Sequence, residues 1–233
     1  MLRLFFLSLY WLPLGAIGQT NVLETLLQTK PDAFQSVLSE PDKYRVQIIY
    51  TQIDRDEHNC PTFSSHTYNL DKQQYFYPAS TVKMPAALLA LEKINKLQVR
   101  GLDRNATMIT GAASPPQTAA TADTTAPNGL PSIAHYIRKI FVVSDNDAFN
   151  RLYEYLGQEY LTRRLWEKGY ADTRIIHRLS APGFDQETNR LTNPVSFYTP
   201  ARTARDLSAA NLLYHQGEVY SKVKPPFVLN DEL

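Results

Sequence analysis

Two short runs in the chain carry atoms suited to nucleophilic chemistry. In YPASTVKMPAALLALEKIN, residues 77–95, Ser80 stands three places before Lys83 at the head of a run with helical apolar spacing. On a helix, i and i+3 share a face one turn apart, which brings the ammonium within reach of the hydroxyl. A lysine withdrawn from water sheds its proton more readily, because desolvation disfavours the cation, and the neutral amine can act as base towards a serine. The bland alternative is a capping serine beside a solvated lysine. Ser-x-x-Lys is expected about once by chance in a chain this long, and here it occurs twice. The second copy, Ser221 with Lys224, runs into Pro225 and Pro226, which forbid helix continuation, so those side chains need not meet.

The other run is Ser144-Asp145-Asn146, placed between the apolar stretch Ile140 to Val143 and Ala148, Phe149 and Leu152. The tripeptide should arise by chance in roughly one such chain in twenty-five. Alone it reads as a helix N-cap, since all three residue types cap well. Joined to Ser80 and Lys83, it supplies what acyl transfer needs. A second hydroxyl can relay a proton to a leaving nitrogen, and a side-chain amide can hold a carbonyl.

The elements around these runs follow from apolar spacing and punctuation. Val22 to Leu38, broken by Pro31, predicts one or two short helices ending before Pro41. RVQIIYTQID (45–54) and TFSSHTYNLD (62–71), separated by the loop RDEHNCP, predict a β-hairpin. From Ser80, Met84, Ala87, Leu88, Leu91 and Ile94 recur at helical spacing up to Gly101, with Pro85 in an early turn where its missing N–H costs little. Residues 111–131 read as a long loop. Helices are expected over 132–157, interrupted near Ser144, over 159–169, and over 200–217.

The chain has 233 residues with 24 basic against 23 acidic, a net charge of +1. That balance leaves no footprint for nucleic acid or an anionic membrane. MLRLFFLSLYWLPLGAIG, residues 1–18, has the basic start, apolar middle and small-residue exit of a secretory signal. Its apolar run is short for a membrane span. Export to a secreted or periplasmic location is expected, with no stable membrane anchor after cleavage. Cys60 is the sole cysteine, so no intramolecular disulfide can form. His58 and Cys60 have no second His/Cys pair at ligand spacing and read as loop residues rather than a metal site.

The motifs together resemble the serine β-lactamase and penicillin-binding protein superfamily, closest to the class A β-lactamase-like branch, for which S-x-x-K with S-D-N is a known signature. YPASTVKMPAALLALEKI is similar to the family's nucleophile helix and SDNDAFNRLYEYLG to its second motif. GYADTRI (169–175) resembles the entry to its omega loop, and YTPARTARDL (198–207) the exit. The resemblance implies an α/β plus all-helical fold, an antiparallel sheet flanked by helices with an inserted helical domain. Residues 19–76 and 218–233 would form the first part and 77–217 the second. It further implies that Ser80 is acylated with Lys83 as its base and that Ser144 carries the proton to the leaving nitrogen. Asn146 would orient substrate, Asp145 brace the loop, and the Ser80 N–H form half of an oxyanion hole. A small-molecule substrate, a β-lactam or a peptidoglycan-type peptide, is expected, with no metal or organic cofactor.

Two departures from the family stand out. Its omega-loop glutamate activates the water that releases the acyl group, and the matching position falls near Ser180. Asp185 and Glu187 follow a few residues later; either could take that role, Glu187 being the catalytic candidate, with surface solvation the alternative for both. Without such a group, acylation outruns release, and the alternative is a penicillin-binding D-alanyl peptidase or another amide or ester hydrolase of the same fold. The family's Lys-Thr-Gly motif is also missing, and a lone hairpin is marginal in water, so a fragment of a longer protein is expected. A non-catalytic binding protein on the same scaffold is the remaining alternative.

Overall fold

The computed structural model describes residues 22–223; the stretch 1–18, expected to be a secretory signal, and the tail from 224 lie outside the described residues. The chain divides into two compact units, one ending at Tyr77 and one starting at Pro78.

In the first unit, α1 (Val22–Gln28) and α2 (Pro31–Leu38) are separated as Pro31 predicts, with the proline at the start of α2, where an N–H would have no partner. Strands β1 (Ile48–Arg55) and β2 (Pro61–Tyr68) form the expected hairpin, in register from Ile48 opposite Tyr68 to Arg55 opposite Pro61. Its turn is held by the Asp56 carboxylate, which accepts the backbone N–H groups of His58 and Cys60. Those two residues therefore shape a turn. Among the described residues the hairpin gains no third strand, and Ile49, Ile53 and Phe63 are more than half exposed.

The second unit is built on four helices. A 3-10 turn, Ala79–Val82, leads into α3 (Lys83–Leu97). Helix α4 (Ile133–Val143) is capped by Ser132, whose hydroxyl accepts the His135 N–H. Helices α5 (Asn146–Leu156) and α6 (Gln158–Glu167) are joined by Gly157 at φ +77°, a conformation that glycine adopts without cost. The interruption near Ser144 is the break between α4 and α5. Helix α3 buries Lys83, Ala86, Ala87, Leu89, Ala90 and Ile94, while Met84 and Leu88, expected in the core, are 56% exposed. Three of these buried residues are alanines, which lets α5 approach closely. Against it lie Phe149, Leu152 and Tyr153 of α5, all fully buried, and each large side chain so placed contributes about 1.5–3 kcal/mol.

Strands β3 (Thr107–Thr110), β5 (Val195–Tyr198) and β6 (Leu212–Gln216) make an antiparallel sheet in the order β3-β5-β6, and β4 (Leu191–Thr192) pairs with β7 (Val219–Tyr220). The helix expected over 200–217 is not formed. A capping box between Thr203 and Asp206 starts only a 3-10 turn, Ala204–Ala209, and the following residues turn into β6. The physical reason is the second edge of β5, whose backbone groups need partners that a helix cannot supply. Phe197 of β5 meets Tyr155 of α5 edge-on, ring centres 5.0 Å apart, which ties this sheet to the helical core. Among the described residues no helix is long and apolar enough to cross a membrane.

Candidate active site

Lys83 is the first residue of α3 and only 3% exposed, although its neighbour Ser80 is exposed. Its Nζ lies 3.1 Å from Ser80 Oγ, 2.9 Å from Ser144 Oγ and 2.6 Å from Asn146 Oδ1, and it also donates to the Ser144 carbonyl. Four acceptors surround a group that has three protons when charged. Burial lowers its pKa below the usual lysine value, opposed by the charge of Asp145. A lone pair exposed by proton loss would face two serine hydroxyls, which is the geometry of a general base.

Local backbone conformation places each partner. Ser80 sits in the 3-10 turn behind Ala79, at φ +45°, so its hydroxyl stands just ahead of the α3 N-terminus. There the helix dipole favours negative charge developing on a bound carbonyl oxygen. Ser144 is the C-cap of α4 in the left-handed conformation, φ +54° and ψ +42°, and its N–H returns to Ile140. That conformation costs a non-glycine residue roughly 1–2 kcal/mol; here it turns both the carbonyl and the hydroxyl of Ser144 towards Lys83. Asp145 caps α5, accepting the Ala148 N–H at 2.8 Å. Asn146 is the first residue of α5. While its Oδ1 accepts from Lys83, its Nδ2 donates to Ser180 Oγ at 2.9 Å.

Ser80, Lys83, Ser144 and Asn146 therefore form one hydrogen-bonded cluster, with Asp145 beside it. Glu187 and Asp185 are not brought to it. Glu187 is exposed, accepts the Tyr220 hydroxyl and faces Arg190. Asp185 is exposed, and its carboxylate accepts the N–H and hydroxyl of Thr188, which hold it below the usual carboxylate range. The loop instead presents Ser180, at φ +49°.

Three side chains that motif reading missed hold Ser180 there. Asn150, one turn after Asn146 on α5, donates to the Leu179 carbonyl at 2.9 Å and accepts the Leu179 N–H at 2.8 Å. Arg178 is 4% exposed and bonds Glu154 at 3.0 Å, Asn193 at 3.1 Å and the Leu191 carbonyl at 3.2 Å. Glu154, 2% exposed, also takes Arg151 at 2.9 Å. Burial pushes the Glu154 carboxyl up, and the two guanidinium groups oppose that shift. The available signal was the spacing Asn146–Asn150–Glu154, three polar residues at i, i+4 and i+8 on the otherwise apolar face of α5. Among the described residues no group of three or more His, Cys, Asp or Glu side chains could hold a metal ion.

A buried amine bonded to two serine hydroxyls stands at the start of one helix and the junction of two others. The profile described as "Beta-lactamase enzyme family" covers residues 32–230. The chain belongs to that family. It is a β-lactamase-like hydrolase, and its mixed α/β fold with small antiparallel sheets is consistent with the family's. Comparisons with curated proteins and with solved structures returned no match.

Proposed function

We propose that this β-lactamase-like chain is an exported serine hydrolase that forms an acyl-enzyme at Ser80, with a β-lactam as substrate. Neutral Lys83 takes the Ser80 proton as Oγ attacks the lactam carbonyl. The tetrahedral oxyanion collapses, the ring C–N bond breaks, and Ser144 passes a proton to the departing nitrogen while recovering one from Lys83. Asn146 orients the substrate amide once Ser180 yields its Nδ2. The observation that carries this reading is Lys83 Nζ bonded at once to Ser80 Oγ and Ser144 Oγ, since one amine then serves both proton transfers.

Release of the acyl group needs an activated water. With Ser180 bonded to Asn146 and with Asp185 and Glu187 engaged at the surface, this arrangement favours acylation over hydrolysis. A penicillin-binding D-alanyl peptidase is therefore the second reading. A fluorescent penicillin tests both. It should label the wild-type protein covalently, and Ser80→Ala should abolish the label. Absence of labelling would reject acylation by lactams. Rapid loss of label with ring-opened product identifies a β-lactamase, and persistent label the penicillin-binding alternative.

A further inference from the structure

Behind the Ser144-Asp145-Asn146 junction lies an ion cluster that neither the motifs nor the reaction steps above use. Lys139, one turn before the end of α4, is 17% exposed. Its Nζ lies 3.1 Å from Asp123 Oδ2 and 3.4 Å from Asp145 Oδ2. Asp123 is 9% exposed and fixed on its other side by the Thr125 hydroxyl at 2.6 Å and the Thr125 N–H at 3.0 Å. His135 Nε2 is 3.5 Å from the same Asp123 oxygen and 2.9 Å from Thr125 Oγ1. The Lys83 ammonium is bonded to residues 144 and 146, on either side of Asp145 in the chain.

Two ammonium groups thus compete for the influence of one carboxylate. Asp145 is the acidic group that acts on Lys83, and its effect is to hold the proton on. Lys139 reaches that carboxylate directly, and Lys83 does not bond it. On this geometry we propose that Lys139 is a positioning residue for the Ser80–Lys83 pair: clamped between Asp123 and Asp145, it neutralises the carboxylate beside Lys83 and leaves Lys83 free to give up its proton. Burial works to lower the Lys139 pKa, and its bond to Asp123 and the charges of Asp145 and Asp123 outweigh that, so Lys139 keeps its charge where Lys83 tends to lose it. The titratable groups in this relay are Lys83 on α3, Lys139 and His135 on α4, Asp145 at the α5 cap, and Asp123 in the loop before α4. The proposal rests on Lys83 being the base in acylation at Ser80.

The test compares Lys139→Met, Lys139→Arg and Asp145→Asn, the last retaining a good N-cap. The Lys83 titration is followed by NMR of labelled lysine side chains, assigned by loss of the signal in Lys83→Arg. This readout stands even if no penicillin is taken up. Lys139→Met should raise the midpoint by about one pH unit and Asp145→Asn should lower it, with Lys139→Arg near wild type. In penicillin labelling, Lys139→Met should be about tenfold slower below the midpoint and converge with wild type at high pH. An unmoved Lys83 midpoint in folded Lys139→Met, or in Asp145→Asn should the first variant not fold, overturns the proposal. An equal loss of labelling rate at every pH does so too. Failure of wild type to label while the midpoints move as stated rejects the acylation reading and leaves the charge relay standing.

Discussion

Replacing Glu154 by Gln tests how the loop bearing Ser180 is held. The Glu154 carboxylate bonds Arg178 at 3.0 Å and Arg151 at 2.9 Å, with the Glu154 and Arg178 side chains 2% and 1% exposed. Removing one partner from a buried pair leaves the opposite charge uncompensated, at a cost of about 3–5 kcal/mol. Gln keeps hydrogen-bonding capacity, and Arg178 keeps Asn193 and the Leu191 carbonyl, while Arg151 keeps Asp147 and Thr118. The lower figure, about 3 kcal/mol, is therefore expected. In urea, with a slope near 1–3 kcal/mol per M, the unfolding midpoint should fall by about 1–3 M. Amide exchange at residues 178–180 should quicken more than in α3, since the lost bonds anchor the loop. A drop below about 1 kcal/mol with unchanged exchange at Leu179 would refute the reasoning. It would mean that Asn150 and the neutral partners of Arg178 suffice.

The remaining predictions concern the proton inventory and the loop. Burial holds Lys93 at a pKa of about 8, against 10.5 in the unfolded chain, beneath the carbonyls of Tyr155 and Leu156. A depressed lysine penalises the native state below pH 8, and the penalty is relieved as pH rises towards 10.5. Wild type should therefore gain about 2.5 kcal/mol over Lys93→Met between pH 7 and pH 10, measured by urea melts at each pH. No such gain would show that Lys93 titrates normally. Lys83→Met should slow penicillin labelling at least about 100-fold while the protein stays folded; labelling within tenfold of wild type would assign the base elsewhere. Ser180→Glu puts a carboxylate within reach of Asn146 and should shorten the lifetime of the Ser80 acyl-enzyme at least about tenfold, followed as decay of bound label. An unchanged lifetime would place water activation away from this loop.

Where function depends on short-range spacing, the chain could be read directly. Ser80 and Lys83 are one helical turn apart, and Ser144, Asp145 and Asn146 mark a junction because each suits a cap. That the two runs meet was inference from chemistry; the structure closes it through Lys83 bonds to residues 61 and 63 positions away. What escaped reading depends on partners distant in sequence. LLYHQ, residues 212–216, has no intrinsic bar to helix, and it becomes a strand because the second edge of β5 receives it. Ser180 acquires its place from Asn146, 34 residues earlier, and Asp123 acquires Lys139 across the start of α4. The long loop over 111–131 looked featureless for the same reason, since Thr118 and Asp123 show their use only opposite Arg151 and Lys139.

Helix α3 shows how the eye is drawn to the wrong face. Met84 and Leu88 are both 56% exposed, and tracing those two points the core away from Lys83. The buried stripe is Lys83, Ala86, Ala87, Leu89, Ala90 and Ile94, in which three alanines remove little apolar area from water but admit α5 to close range. A lysine in phase with such a stripe has its stem packed and its ammonium confined, so it must find acceptors or lose its charge. It does the first through Ser80, Ser144 and Asn146, and its lowered pKa disposes it to the second. Ser-x-x-Lys becomes a chemical pair only when the lysine belongs to the buried face, and that condition separates residues 80 and 83 from a chance match of the same pattern.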